Sequence, residues 1–199
     1  MNMFKTLFAL AASAFLLISS ASAQGFLNFE RTDGYIYASG FVGASFPDDI
    51  NSVDLDNDVY YGGALGAQLP FKSLGFVHTR IEVEVSYFET SIDGVAAAVV
   101  PAPQTPSVDN LFIFGNSFAD LIWRENQAVI PYIGGGLGLA ITDTDFTGSD
   151  TNFASHSAIG LTVPINKLDI YAEGRYFQIF VDGPNADGFT LSGGLRFKF

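Results

Sequence analysis

The chain has 199 residues, 48% hydrophobic and only 15% charged, and 9 Lys and Arg against 21 Asp and Glu give a formal charge of -12. A mean hydropathy of +0.28 with so few charges excludes disorder, which needs low hydrophobicity and high net charge together. The acidic balance argues against nucleic acid, and the absence of Cys excludes a disulfide framework, a zinc ribbon and a thiol nucleophile.

Residues 1–23 read as a secretory signal peptide. Lys5 supplies a positive start, residues 7–18 form an apolar run of 12, and Ala21-Ser22-Ala23 fits an A-x-A site, so cleavage is expected after Ala23. The run is short of the ~20 residues that a spanning helix needs. Gln24 follows the cut in place of Cys, so no lipid anchor is expected. The second region, residues 24–199, then carries a charge of -13. Its longest uncharged run, residues 126–142, contains Pro131 and Gly134, Gly135, Gly136 and Gly138, which is poor helix material. Without a spanning helix, the chain is either soluble after export or crosses a membrane as a closed β-barrel.

Period-two alternation dominates residues 24–199. Residues 34–46 are rich in Tyr, Phe and Gly. Around residue 60, Val59, Tyr61, Leu65, Ala67 and Leu69 oppose a face of Gly and Gln68. In residues 78–90, Ile81, Val83, Val85 and Tyr87 oppose Arg80, Glu82, Glu84 and Ser86. Residues 111–123 are apolar on both faces, and their orientation stays open. In residues 129–142, Ile133, Leu137, Leu139 and Ile141 oppose Tyr132, Gly134, Gly136, Gly138 and Ala140. In residues 153–165, Ile159, Leu161, Val163 and Ile165 oppose His156, Ala158, Gly160 and Thr162. From 168 onward, Leu168, Ile170, Ala172, Gly174 and Tyr176 oppose Asp169, Tyr171, Glu173, Arg175 and Phe177. The last segment sets Phe189, Leu191, Gly193, Leu195, Phe197 and Phe199 against Thr190, Ser192, Gly194, Arg196 and Lys198. Eight strands of ~11 residues would use about half of the 176 residues left after cleavage.

Connections are expected to alternate in length. Short links fall at 70–73, 124–127 and 166–167, and long ones at 47–57, 91–107, 143–152 and 181–187. The long ones hold Asp48, Asp49, Asp54, Asp56, Asp93, Asp143, Asp145, Asp150, Asp182 and Asp187 but no Lys or Arg. The short ones carry Lys72, Arg124 and Lys167. Short turns at one end and long loops at the other describe an all-β, eight-stranded antiparallel up-and-down transmembrane β-barrel. A soluble barrel shares the periodicity with its apolar face inward. Two features favour the membrane form. One is the alternating aromatic end Leu195, Phe197, Phe199, which resembles the C-terminal signature of outer-membrane barrels. The other is aromatic residues at strand ends, where interfacial girdles sit: Phe46, Tyr60, Phe88, Phe112, Phe177 and Phe189 by the long loops, Phe71, Trp123 and Phe199 by the short ones.

The segment Pro131-Tyr132-Ile133-Gly134-Gly135-Gly136-Leu137-Gly138 resembles the fifth-strand motif of the OmpA-like and opacity-type family of small outer-membrane barrels. Residues 168–176, ending Glu173-Gly174-Arg175-Tyr176, resemble its seventh strand, and residues 193–199 its eighth. The resemblance runs from about Gly34 to the end. It implies residence in a Gram-negative outer membrane and loop-mediated contact with hosts, surfaces or other cells. The chain stops at Phe199, so the peptidoglycan-binding domain that some members carry is not expected.

The inward face would hold Arg80, Glu82, Glu84, Asp169, Glu173, Arg175 and Arg196. A bore of eight strands is just wide enough for side chains to fill it, and charges enclosed there must pair. A cross-lumen network is expected, with Glu82 and Glu84 facing Arg175 and Arg196, either as a structural plug or as the lining of a gated pore. No metal site and no cofactor are expected. Asp54-Leu55-Asp56-Asn57-Asp58 opens like a calcium loop, but Val59 and Leu65 stand where an EF-hand needs Gly and Glu. A solvated acidic loop is the preferred reading. Enzyme activity is not expected, because Ser155 and Ser157 flank His156 in sequence and so point to the other face of a strand. The expected partners are outer-membrane lipid and lipopolysaccharide, the barrel-assembly machinery, and a surface or host ligand met through the loops. A structural envelope role leads, ahead of a narrow channel for small solutes and a soluble exported ligand carrier.

Overall fold

The computed structural model describes residues 30–47, 58–91, 107–124, 126–144, 148–181 and 186–199. The proposed signal peptide lies outside them. So do the acidic residues Asp48, Asp49, Asp54, Asp56, Asp93, Asp145 and Asp182. Among the described residues no helix is long and apolar enough to cross a membrane.

Among the described residues nine strands form one antiparallel sheet: β1 (Glu30–Arg31), β2 (Tyr35–Pro47), β3 (Asp58–Ser73), β4 (Val77–Ser91), β5 (Ser107–Leu121), β6 (Ile130–Thr144), β7 (Gly148–Ile165), β8 (Leu168–Phe180) and β9 (Ala186–Lys198). Each of β2 to β9 pairs with its sequence neighbours, and β2 pairs with β9, which closes an eight-stranded up-and-down barrel. Closure leaves none of the eight ring strands β2 to β9 as an edge of the sheet. The short β1 was not expected. It lies outside the ring and pairs Glu30 with Lys72 and Arg31 with Phe71 at the end of β3.

Three links differ from the sequence expectation. The β3–β4 turn falls at 74–76, because β3 continues through Pro70 to Ser73 and absorbs extra residues in a register shift between Gln68 and Lys72. Leu74 and Gly75 make that turn at φ of 53° and 74°. The segment 143–152 is not a long loop, since β6 and β7 pair up to Thr144 opposite Gly148 and leave a link of only 145–147. Asp143 and Asp150 therefore sit on strands. At the other end, the 122–129 link exceeds both 145–147 and 181–185, so length alternates less cleanly than expected.

The alternation sorts side chains by face. Leu65 and Leu191 point outward at 69% and 61% exposure, while Arg80 and Glu84 point inward at 0% and 1%. This barrel is apolar outside and charged within. Strand β5, ambiguous by sequence, turns Asn110, Phe112, Phe114, Asn116, Phe118 and Asp120 inward. Glycines make room for its rings: a Cβ at Gly134 would collide with Phe118, and one at Gly136 with Asn116 and His156.

The girdle assignment needs correction. Phe46, Phe189, Trp123 and Phe199 are exposed on the outer wall, but Tyr60, Phe88, Phe112 and Phe177 are buried in the bore. Position near a strand end does not fix the face; parity does, and these four share parity with the inward polar residues. They form, with Phe114 and Ile179, an apolar cluster at the long-loop end.

Candidate functional site

The bore is filled in three layers. At the long-loop end, Phe88, Phe112 and Phe177, from β4, β5 and β8, contact one another with ring centroids 5.5, 5.8 and 6.0 Å apart. Rings at these separations pack against each other.

Below this cap, Arg175 reaches across from β8 to Glu84 on β4, donating from Nη1 at 2.6 Å and from Nη2 at 2.9 Å. This is the bidentate form that gives an Arg–carboxylate pair its strength. Arg175 also donates to Glu173 from Nε at 3.0 Å and Nη2 at 2.6 Å, and to the Tyr60 hydroxyl at 2.8 Å. The Tyr60 hydroxyl in turn donates to Glu84 at 3.1 Å. Asn116 Nδ2 donates to the second Glu84 oxygen at 2.9 Å. Its Oδ1 must then accept from His156 Nε2 at 2.8 Å, which fixes the proton on Nε2. Tyr132 donates to Glu173 Oε2 at 3.0 Å. The charges in this layer are paired and hydrogen-bonded, the condition under which buried ions are tolerated.

The layer at the short-turn end is built around two arginines. Arg80 donates from Nε to Asp120 at 2.7 Å and pairs through Nη1 with Glu82 and the Tyr37 hydroxyl. Its guanidinium lies 4.7 Å from the Phe118 centroid and 5.0 Å from that of Tyr132. Arg196 sits between Tyr37 and Tyr171, at 4.9 and 5.2 Å. Arg80 and Arg196 are thus each sandwiched by two rings, a desolvated setting that strengthens cation–π attraction. Asp169 accepts from Arg196 at 3.5 Å and from Lys198 at 2.8 Å. The tyrosine rings lie flat on the wall because glycines face them on the next strand: Gly66 beneath Tyr37, Gly160 beneath Tyr132, Gly194 beneath Tyr171.

Arg80, Glu82, Glu84, Asp169, Glu173, Arg175 and Arg196 all lie in these two charged layers. The pairing differs in part from the expectation. Glu84 does meet Arg175. Glu82 instead pairs with Arg80, two residues away on the same face of β4. Arg196 instead pairs with Asp169, its register partner on β8. In both cases a neighbour already on the same wall outcompetes a partner across the bore.

Sequence reasoning missed Asp120, Asn116 and the tyrosines 37, 60 and 132. Asn110, Asn116 and Asp120 do share one parity, a signal hidden by the phenylalanines between them. Ser155 and Ser157 lie on the opposite wall face from His156, whose ring packs on Phe114 at 4.7 Å. Leu195, Phe197 and Phe199 are exposed on the outer wall. Among the described residues no group of three or more His, Asp or Glu is arranged to hold a metal ion.

No protein-family model matches the sequence, and no curated protein matches it either. Solved structures do. Neisserial surface protein A is 16% identical with a TM-score of 0.54, over 84% of this chain and 99% of that one. The outer membrane protein OprG from Pseudomonas aeruginosa is 12% identical with a TM-score of 0.48, over 85% of this chain and 97% of that one. The N-terminal β-barrel domain of Pseudomonas aeruginosa OprF is 14% identical with a TM-score of 0.48, over 85% of this chain and 100% of that one. At such identity the likeness to Neisserial surface protein A is one of fold: this chain is a closed, eight-stranded antiparallel β-barrel of the same architecture.

Proposed function

We propose that this chain is an integral barrel of a Gram-negative outer membrane, of the OmpA-like and opacity type, with a structural envelope role. The observation that carries the reading is the inversion of the usual solvent order. Isoleucine, leucine and valine cover the outer wall of every long strand pair, while among the described residues five carboxylates (Glu82, Glu84, Asp120, Asp169 and Glu173) and three guanidiniums are enclosed. Water outside would face a continuous apolar belt, far beyond the few hundred Å² that soluble monomers expose. Hydrocarbon outside removes that cost and accepts the fully paired backbone of a closed barrel. A soluble ligand carrier would need the opposite arrangement.

The charged layers serve as a structural plug. The Phe88–Phe112–Phe177 cap and the Arg175–Glu84 bridge stand in series across the bore, which favours a closed barrel over a solute channel. Residues 1–23 would direct export and be removed after Ala23, and the alternating end Leu195, Phe197, Phe199 would serve recognition by the assembly machinery. Segment 48–57, with four Asp, and segment 92–106, rich in Pro and Ala, join strands at the end opposite Phe199, where they would meet a surface or host ligand and lipopolysaccharide. Enzyme activity has no support from the His156 surroundings, where the ring is hydrogen-bonded to Asn116 and the adjacent Ser155 and Ser157 lie on the other face of the strand.

Two measurements test the reading. Carbonate washing of membranes should leave the protein in the pellet; release into the supernatant would overturn membrane insertion. Purified protein in planar bilayers should give no steady single-channel current, and a sustained open level would replace the plug with a channel.

A further inference from the structure

The outer wall is not uniform. On β2, β3 and β4, near the short-turn end, a groove of about 430 Å³ is sunk into the apolar surface. Its floor is Ala67. Register places Ile36 directly beside Ala67 on one strand and Ile81 on the other, while Leu65 and Val83 pair one outward step above. Phe199 closes the side, held by its backbone N–H donating to the Ile36 carbonyl at 3.0 Å. One small side chain is thus walled by five large ones, and all five are exposed on the lipid-facing side.

We infer that this groove is a binding site for a single phospholipid acyl chain from the leaflet at the short-turn end. The inference rests on the membrane reading above. In hydrocarbon an unfilled groove forfeits the dispersion contacts of its whole lining, so some apolar group must enter it. A second barrel is a poor occupant. Its wall is convex and stiff, and the raised side chains Ile36, Leu65, Val83 and Phe199 hold it off the Ala67 floor. An acyl chain is narrow and flexible enough to lie along that floor. The groove is continuous with the apolar belt and opens beside Phe199, an aromatic at the rim where lipid headgroups begin. Lys72, Arg124 and Lys167 belong to that same end, so an anionic headgroup meets no like charge from them.

The test uses the full mature chain, refolded in non-denaturing detergent and titrated with palmitoyl-oleoyl phosphatidylglycerol, read by native mass spectrometry. The wild type should retain one phospholipid after detergent is stripped. Ala67→Leu, which fills the floor with a side chain still compatible with hydrocarbon, should lose most of that adduct. Ala172→Leu, an equal change on the outward face of β8, should keep it. Equal retention in the two variants, absence of any adduct on the wild type, or a mass of two chains in place of the adduct would each overturn the site. Bilayer insertion of each protein, checked by carbonate washing of vesicles, separates the two failures. An inserted chain without the adduct sinks the groove alone, and a chain that never inserts sinks the membrane reading with it.

Discussion

Arg175 and Glu84 stand on diametrically opposite strands, β8 and β4, and join the two walls through parallel bonds of 2.6 and 2.9 Å. A bond between neighbouring strands adds little to what the backbone ladder already fixes. A bond across the diameter restrains the cross-section of the whole barrel.

Arg175→Leu should therefore destabilise the barrel by about 3–5 kcal/mol, since it leaves Glu84 and Glu173 buried without their cation. Urea unfolding in lipid vesicles measures the change. Adding Glu84→Leu should recover part of the loss by removing one stranded charge. A double variant no more stable than the single one would mean that Glu84 finds another partner.

Phe112→Ala should cost about 3–5 kcal/mol, because the ring is buried among Phe88, Phe114 and Phe177. Alone it should still give no steady current, as the Arg175–Glu84 bridge remains below. Combined with Arg175→Ala it should open a measurable conductance in planar bilayers. Current from Phe112→Ala alone would show that the charged layer does not seal the bore.

Leu191→Arg separates the two possible surroundings of the outer wall. Facing hydrocarbon, the charge should cost roughly 2–4 kcal/mol near the midplane. In a soluble barrel the same exposed position would tolerate Arg almost freely. Equilibrium unfolding of the refolded variant decides between them.

Gly160→Val should displace the Tyr132 ring that lies across it and break the Tyr132–Glu173 hydrogen bond. Overpacking of this kind costs about 1–3 kcal/mol. Tyr132→Ala in the same background should relieve the clash with the ring, though not the one with the Ala172 carbonyl, so the double variant should be more stable than the sum of the two single losses predicts.

Much of this molecule was legible along the chain because strand periodicity is local. The alternation in 78–90, 168–177 and 189–199 assigned Arg80, Glu84, Arg175 and Arg196 to one face, and they do share the bore. Strand β5 was opaque, since its inward face mixes Phe112, Phe114 and Phe118 with Asn116 and Asp120, and hydropathy alone cannot tell such a face from the lipid side. The misplaced girdle has the same origin: Phe88 and Phe177 read as rim residues by position, yet their parity turns them into the cap.

The sequence by itself determined that the charged residues of β4, β8 and β9 turn inward and that residues 126–142 are poor material for a spanning helix, because both follow from spacing and composition within short segments. Only the tertiary structure decided who pairs with whom. Glu82 going to Arg80, Arg196 to Asp169 and Arg175 to Glu84 depends on register and on how far the strands are staggered around a closed ring, and that stagger brings residues 91 positions apart within 2.6 Å. The groove at Ala67 belongs to the same class, being a property of three strands in register that no single strand carries.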